Sequence, residues 1–304
     1  MECIWYISGF RRPWEAAVVG NLAVALGAGG EFSPRVYAES GTANFRVEGV
    51  LSWKSLTFFE RAVIVLFKGR LWHLWGDAPF WWGWVRLRAR TLHTSLDVQP
   101  QWRGHPTRLF AEQVQEGESR IIPSFEIKVA WTDREGSPTS VLLLALQPDK
   151  ALDEALKENL KEIKKIMEEV LPEGGVEGIA IDGSEMFQSE LLKKCRVLFI
   201  DDSPSNALLA AYLTMQGVPV ITRDGPLSRS VLGPGGYLTL QGGAKEDWRA
   251  VLQEALSEKG RSTSASARRF LKENYSVRGA TETLTELYRS VAASSVSAAR
   301  KENR

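Results

Sequence analysis

The chain has 304 residues, enough for two domains that each enclose a core, and its 44% apolar and 25% charged residues are the balance of a globular protein. A formal net charge of +1 excludes the strongly basic surface of a nucleic-acid binder, and no run of about 18 apolar residues is present to span a bilayer. Two cysteines, Cys3 and Cys195, stand in apolar strand-like contexts without metal-ligand spacing, which reads as buried thiols in a reducing compartment.

The first residues, MECIWYISGF, carry an acid and no basic region, so no signal peptide is expected and the expected location is cytoplasmic. CIWYISG reads as a buried strand, and WEAAVVGNLAVALGAGG as an amphipathic helix closed by Gly29 and Gly30. PRVYAES and RLWHLWG are short apolar runs of strand type. WGWVRLRAR predicts a helix that leads into a strand at TLHTSLD, with a further strand at SRIIPSFE and an exposed loop around His105. Ten of the eleven tryptophans lie at or before Trp131, which sets this part of the chain apart from the rest.

The polar stretch TDREGSPTS marks a boundary, after which the alternation restarts. VLLLAL, EGIAI, RVLFI, VPVIT and YLTL read as strands. Between and after them come the helices DEALKENLKEIKKIMEEVL, SEMFQSELLKKC, NALLAAYLTMQG and KEDWRAVLQEALSEK, and two further helices close the chain. Strands alternating with helices predict an α/β protein with parallel sheets. The expected organisation is an N-terminal domain over 1–131, a second domain over 132–275 and a closing helical segment over 276–304.

VLFIDDSPSNALLAAYLTMQGVPVITRDG, read alone, resembles the opening of a response-regulator receiver domain, whose paired acids help to hold magnesium. A receiver needs another aspartate at a later strand end. Here Glu246 and Asp247 open a helix instead, where acids suit the helix dipole, and no strands remain to finish that sheet.

The whole chain is similar to glycosyltransferases of the GT-B fold, the group 1 or glycogen synthase-like superfamily. SGFRRPWEAAVVGNLAVAL resembles that family's first strand, loop and helix, and LWHLWGDAP and RTLHTSLD resemble two of its later strands. The 197–225 stretch resembles its donor-site strand, serine loop, helix and Gly-x-Pro-Val-Ile strand. The resemblance implies two Rossmann-like, doubly wound domains facing across a cleft, with a C-terminal helix crossing back to the first. It also implies transfer of a sugar from a nucleotide-diphosphate sugar to a carbohydrate or lipid-linked acceptor, without metal or any cofactor beyond that co-substrate.

By the same resemblance, Lys150 and His93 carry catalysis. Ser8, Gly9, Lys150, Gly183, Ser203, Ser205 and Asn206 bind the donor, and His73, Trp75 and His93 meet the acceptor. Ala145 stands where the family's donor-gripping arginine is expected, and Tyr212 where its second glutamate is expected. A second reading therefore stays open: a degenerate GT-B protein that binds a glycan or a partner without turnover. Asp201 and Asp202, with no third ligand group nearby, read as loop and capping acids. Trp81, Trp82 and Trp84 beside Arg86, Arg88 and Arg90 either pack the first domain or form an aromatic and basic patch for peripheral membrane contact.

Overall fold

The computed structural model describes residues 1–8, 13–39, 50–68, 71–96, 104–125, 140–145, 165–166, 169, 176–181, 195–242 and 244–302. The chain forms two compact units: the first comprises Met1–Val129 and Tyr275–Arg304, the second Ala130–Asn274. Both are α/β, and every strand pairing in both sheets is parallel.

In the first unit the strands are β1 (Glu2–Ser8), β2 (Ser33–Ala38), β3 (Val50–Ser52), β4 (Leu71–Gly76), β5 (Arg90–Thr94), β6 (His105–Arg108) and β7 (Ser119–Arg120). Their order across the sheet is β3-β2-β1-β4-β5-β6-β7. The winding reverses between β1 and β4, and open α/β sheets place ligands at such switch points, beyond the strand C-termini. Central parallel strands are covered on both faces and read as continuous apolar runs. Accordingly β1 after Glu2, and β4 throughout, are buried.

Side chains alternate between the two faces of this sheet. Ile4, Tyr6, Trp72 and Leu74 cluster with Trp53, Ile64, Val65, Trp82 and Val85 beneath α2 (Phe58–Phe67) and α3 (Trp82–Arg88). On the other face Trp5, His73 and Trp75 pack together, with Trp5 and His73 ring centroids 5.6 Å apart and His73 and Trp75 4.1 Å apart. Two helices, α1 (Pro13–Ala28) and the closing helix of the chain, pack against one another in this unit. α1 is apolar nearly all round, and its buried residues extend well beyond the single stripe expected of an amphipathic helix. Among the described tryptophans, Trp53, Trp72, Trp81 and Trp82 thus form an aromatic layer on one face of this sheet, and Trp5 and Trp75 one on the other.

The second unit has β8 (Ser140–Ala145), β9 (Val176–Ile181), β10 (Cys195–Ile200), β11 (Val220–Thr222) and β12 (Leu238–Thr239) in the order β12-β11-β10-β8-β9. Its switch point lies between β8 and β10. The helices among the described residues are α4 (Pro204–Met215), α5 (Pro226–Leu232), α6 (Lys245–Leu256) and α7 (Glu258–Asn274), and α8 (Val277–Glu302) then closes the chain in the first unit. α4 is buried from Asn206 through Thr214, and it contacts both α5 and α7. A separate core joins Val197, Phe199 and Ile221 to Trp248, Val251 and Leu252 of α6.

Three local readings of the sequence need correction. SRIIPSFE contributes only the two residues of β7 to the sheet, since Pro123 lacks the N–H that a continuing ladder would require. His105 is no exposed loop residue; it begins β6 opposite Leu92 and is half-buried, with Nε2 at 2.9 Å from the Ser119 hydroxyl. α2 and α5 were not foreseen. α2 carries large apolar residues on both its core and its solvent side, with Glu60 and Arg61 between them, and its capping box was there to read: Glu60 N–H donates to Thr57 Oγ1 at 3.2 Å, and Thr57 N–H donates to Glu60 Oε2 at 2.7 Å.

Gly233 ends α5 at φ +75, and a Cβ there would lie 2.6 Å from the Phe270 ring. Gly233→Ala therefore combines left-handed backbone strain with a clash. We expect it to lower the unfolding free energy by more than about 1 kcal/mol, read as a reduced urea midpoint at unchanged slope. An unaltered midpoint contradicts this packing.

Candidate functional site

Each unit gathers polar groups where its parallel strands end. In the first unit Ser8 closes β1 opposite Gly76 of β4, at the switch point. The Ser8 hydroxyl donates to Glu39 Oε2 at 2.9 Å, and its carbonyl accepts from Asp77 N–H at 2.8 Å. His93 on β5 is buried, and its Nε2 donates to the Gly76 carbonyl at 2.6 Å. This bond fixes the ring beside the strand end and commits Nε2 as a donor. Ser95 and Thr107 are also buried at this edge. Arg108, at the end of β6, pairs within the fold with Glu118 at 3.2 Å, both side chains being nearly inaccessible. A buried pair of this kind neutralises its own charge and is costly to break from one side.

His73 and Trp75 lie deeper, wholly buried on β4. His73 uses both ring nitrogens inside the fold, Nδ1 at 2.8 Å from Tyr288 Oη of α8 and Nε2 at 2.7 Å from Thr94 Oγ1. The remaining bonds give the protons a direction. Thr107 donates its hydroxyl to the His93 carbonyl at 3.0 Å, so it accepts from Thr94. Thr94 has then spent its only hydrogen and must accept from His73 Nε2–H, which leaves Nδ1 to accept from Tyr288. The result is a one-way chain, Tyr288 to His73 to Thr94 to Thr107 to the His93 carbonyl, and it requires neutral His73.

Burial, with a smaller contribution from the charge of nearby His93, holds the His73 pKa well below its usual 6.5. Burial likewise pushes the Tyr288 hydroxyl well above its usual range, and the Cys3 thiol up to about 12, so neither ionises near neutrality. Of the patch read from the sequence, Trp82 is buried, Trp81 packs against the same core, and Trp84 is exposed.

In the second unit the β10 strand ends at Ile200 and leads through Asp201, Asp202 and Ser203 into α4, beside the switch point. Asp202 Oδ1 accepts from Ser228 N–H at 2.8 Å and from Ser228 Oγ at 2.7 Å, while Oδ2 accepts from Leu227 N–H at 3.2 Å. It thus caps α5, and Gly225 leaves room for it, since a Cβ there would fall 2.2 Å from Asp202 Oδ2. Asp201 accepts a hydrogen bond from the Asn206 side chain. Both acids are therefore loop and capping groups, and among the described residues no cluster of three or more His, Cys, Asp or Glu could hold a metal.

Ser203 is the N-cap residue of α4, yet its side chain makes no capping bond. The hydroxyl is buried and has no hydrogen-bond partner among the described residues. It sits where first-turn N–H groups lack acceptors within their own helix and the helix dipole favours an anion. Ser205 and Asn206 occupy that first turn. Tyr212 is wholly buried within α4. Gly9, Lys150 and Gly183 lie outside the described residues.

Asp224, just past β11, is a feature the sequence reading missed. It adopts φ 61, uncommon for a residue other than glycine, and its carboxylate accepts from Arg229 Nε at 2.9 Å and from the Tyr237 hydroxyl. The Arg229 bond, followed by that of Tyr237, holds the Asp224 pKa down to about 2.

No protein-family model matches the sequence, and no curated protein matches it. Solved structures match over nearly the full length at low identity. Anabaena Alr3699/HepE, solved with UDP-glucose, is 10% identical with a TM-score of 0.60, over 95% of this chain and 99% of its own. The UDP-GlcNAc 2-epimerase of Neisseria meningitidis, bound to UDP-GlcNAc, is 11% identical with a TM-score of 0.55, over 94% and 99%. AviGT4, a glycosyltransferase involved in avilamycin A biosynthesis, is 14% identical with a TM-score of 0.57, over 96% and 98%. At these identities the likeness establishes the fold, which is GT-B.

Unfolded His73 titrates near its usual 6.5 and folded His73 well below it, so the unfolded chain takes up the proton first as pH falls. Stability that depends on neutral His73 is complete above about pH 6.5 and declines below it, with a limiting slope of about 1.4 kcal/mol per pH unit. His73→Gln, which keeps a donor and an acceptor, should remove that slope in urea unfolding across a pH series, whereas Tyr288→Phe should cost about 1–3 kcal/mol at neutral pH. An acid slope unchanged in His73→Gln contradicts the proton order.

Proposed function

We propose that the second unit binds a uridine-diphosphate sugar, and that the protein transfers the sugar to a hydroxyl of a carbohydrate or lipid-linked acceptor. The observation that carries this reading is Ser203: a buried hydroxyl without a partner among the described residues, at the start of a 12-residue helix, beside the switch point of a parallel sheet. A diphosphate supplies what that position lacks, since its oxygens accept from both a hydroxyl and first-turn N–H groups. Structural neighbours of the same fold were solved with UDP-glucose and UDP-GlcNAc, which supports uridine as the base.

In the transfer the acceptor oxygen bonds to the anomeric carbon as the bond to the diphosphate oxygen breaks, and the acceptor proton leaves with the diphosphate. Charge grows on the departing diphosphate, and fixed donors stabilise it most. Ser203 and the N-terminus of α4 take that role, with Lys150 as the cation and no metal required. Ser205 and Asn206 contribute through the same helix turn, Asn206 also by holding Asp201. In the first unit His93 orients, because its Nε2–H is committed to the Gly76 carbonyl. Acceptor contacts fall to the polar edge around Ser8, His93 and Ser95.

Calorimetry with UDP, GDP, ADP and CMP tests the reading. UDP should bind in the micromolar range, and Ser203→Ala and Lys150→Ala should each weaken it by about tenfold or more. No binding by any diphosphate, or unchanged affinity in both variants, contradicts the donor site. With a UDP-sugar that binds, transfer predicts free UDP and a new glycoside, and a sugar that stays on UDP contradicts it.

A further inference from the structure

The solvent face of α2 is as apolar as its buried face. Ile64 and Val65 enter the core, while Phe59, Leu66 and Phe67 are exposed on the other side and Phe58 is exposed in the first turn. Glu60 and Arg61 are the polar residues of this helix, and large apolar side chains on a solvent face call for something apolar to cover them. α3 repeats the arrangement: Trp82 and Val85 are buried, whereas Trp84 and Leu87, three residues apart, are 63% and 81% exposed. Phe80, just before α3, is 97% exposed.

These faces form one surface. Both helices pack on the same side of the first sheet, so both outer faces point away from it. Arg88 of α3 joins them by donating to the Ile64 carbonyl at 3.1 Å and the Lys68 carbonyl at 2.6 Å, which closes the C-terminal end of α2. Single exposed apolar side chains are ordinary, but a contiguous set of large ones marks an interaction surface.

Charge decides what it meets. Residues 54–90 hold seven basic and two acidic side chains, in a chain whose net charge is only +1. Lys54, Lys68 and Arg86 are exposed among the apolar groups. A second copy docked about a two-fold axis would set this basic rim against itself, and like charges across an interface are unfavourable. An anionic bilayer satisfies both components, with Phe, Trp and Leu at the headgroup–acyl boundary and Lys and Arg among the phosphates.

We propose that the α2–α3 face of the first unit docks on an anionic membrane surface. The residues that carry it differ from the run read in the sequence: Trp82 belongs to the core and Arg88 is bonded to the carbonyls at the end of α2, while Phe58, Phe59 and Phe67 supply the apolar contact. The surface lies wholly within the first unit and does not depend on the donor reading.

Flotation of the full chain with vesicles tests this, comparing phosphatidylcholine alone with phosphatidylcholine containing about one-third phosphatidylglycerol. The chain should bind the anionic vesicles only, and added salt should release it. Phe59→Ser and Trp84→Ser should each weaken partitioning by about tenfold, and Lys68→Gln and Arg86→Gln by about fivefold per charge. Thermal midpoints should not fall, because these side chains are exposed. Absence of binding, equal binding to both vesicles, or binding unchanged by the substitutions overturns the proposal. So does a concentration-dependent dimer that Phe59→Ser abolishes in sedimentation, which would assign the face to a second copy.

Discussion

Parallel pairing is the constraint from which the rest of this structure follows. A parallel strand can be reached only through a crossover, and the crossover helices cover both sheet faces. The strands must therefore be apolar along their length, as β1 and β4 are, and polar groups collect where the strands end. In the first unit that edge holds Ser8, His93, Ser95 and Arg108; in the second it holds Asp201, Asp202, Ser203 and Asp224. Two sheets wound in this way provide two switch points, each with a helix or a bound histidine beside it.

The one-way chain from Tyr288 to the His93 carbonyl shows how a polar group survives inside an aromatic layer. His73 stacks on Trp75 and meets Trp5 edge-on, and neither ring offers its nitrogens an acceptor. Burial without partners would be costly, so the imidazole is acceptable only because every donor and acceptor along the row is matched. The same chain reaches the carbonyl of His93, whose ring is fixed at the edge, and it ties α8 to the sheet. The chain thus returns to the first unit after building the second, and its last helix is held by a bond between residues 215 apart in sequence.

Much of the fold could be read from the residues, because apolar runs such as CIWYIS and RVLFI leave few options for a buried strand. What could not be read has physical causes. α2 is hydrophobic on its solvent side as well as on its core side, so its sequence does not mark which face is buried. β6 begins at a histidine flanked by Gly104 and Pro106, a context that signals a loop until pairing with β5 is known. At the candidate sites, Ser203 was legible as a helix start ahead of Pro204. The capping of α5 by Asp202 joins residues 26 apart and leaves no local signal, and the same is true of the partner of His73. Asp224 hid in what looked like an ordinary Asp-Gly turn, although its ion pair and φ 61 set it apart.

The account turns on whether the start of α4 receives a diphosphate. Hydrogen–deuterium exchange of the full chain, with and without saturating UDP, addresses that position directly. Slower exchange of the Ser203, Ser205 and Asn206 amides on addition of UDP is the predicted result. Exchange of those three amides that does not change while UDP is bound would place the nucleotide elsewhere and contradict the assignment.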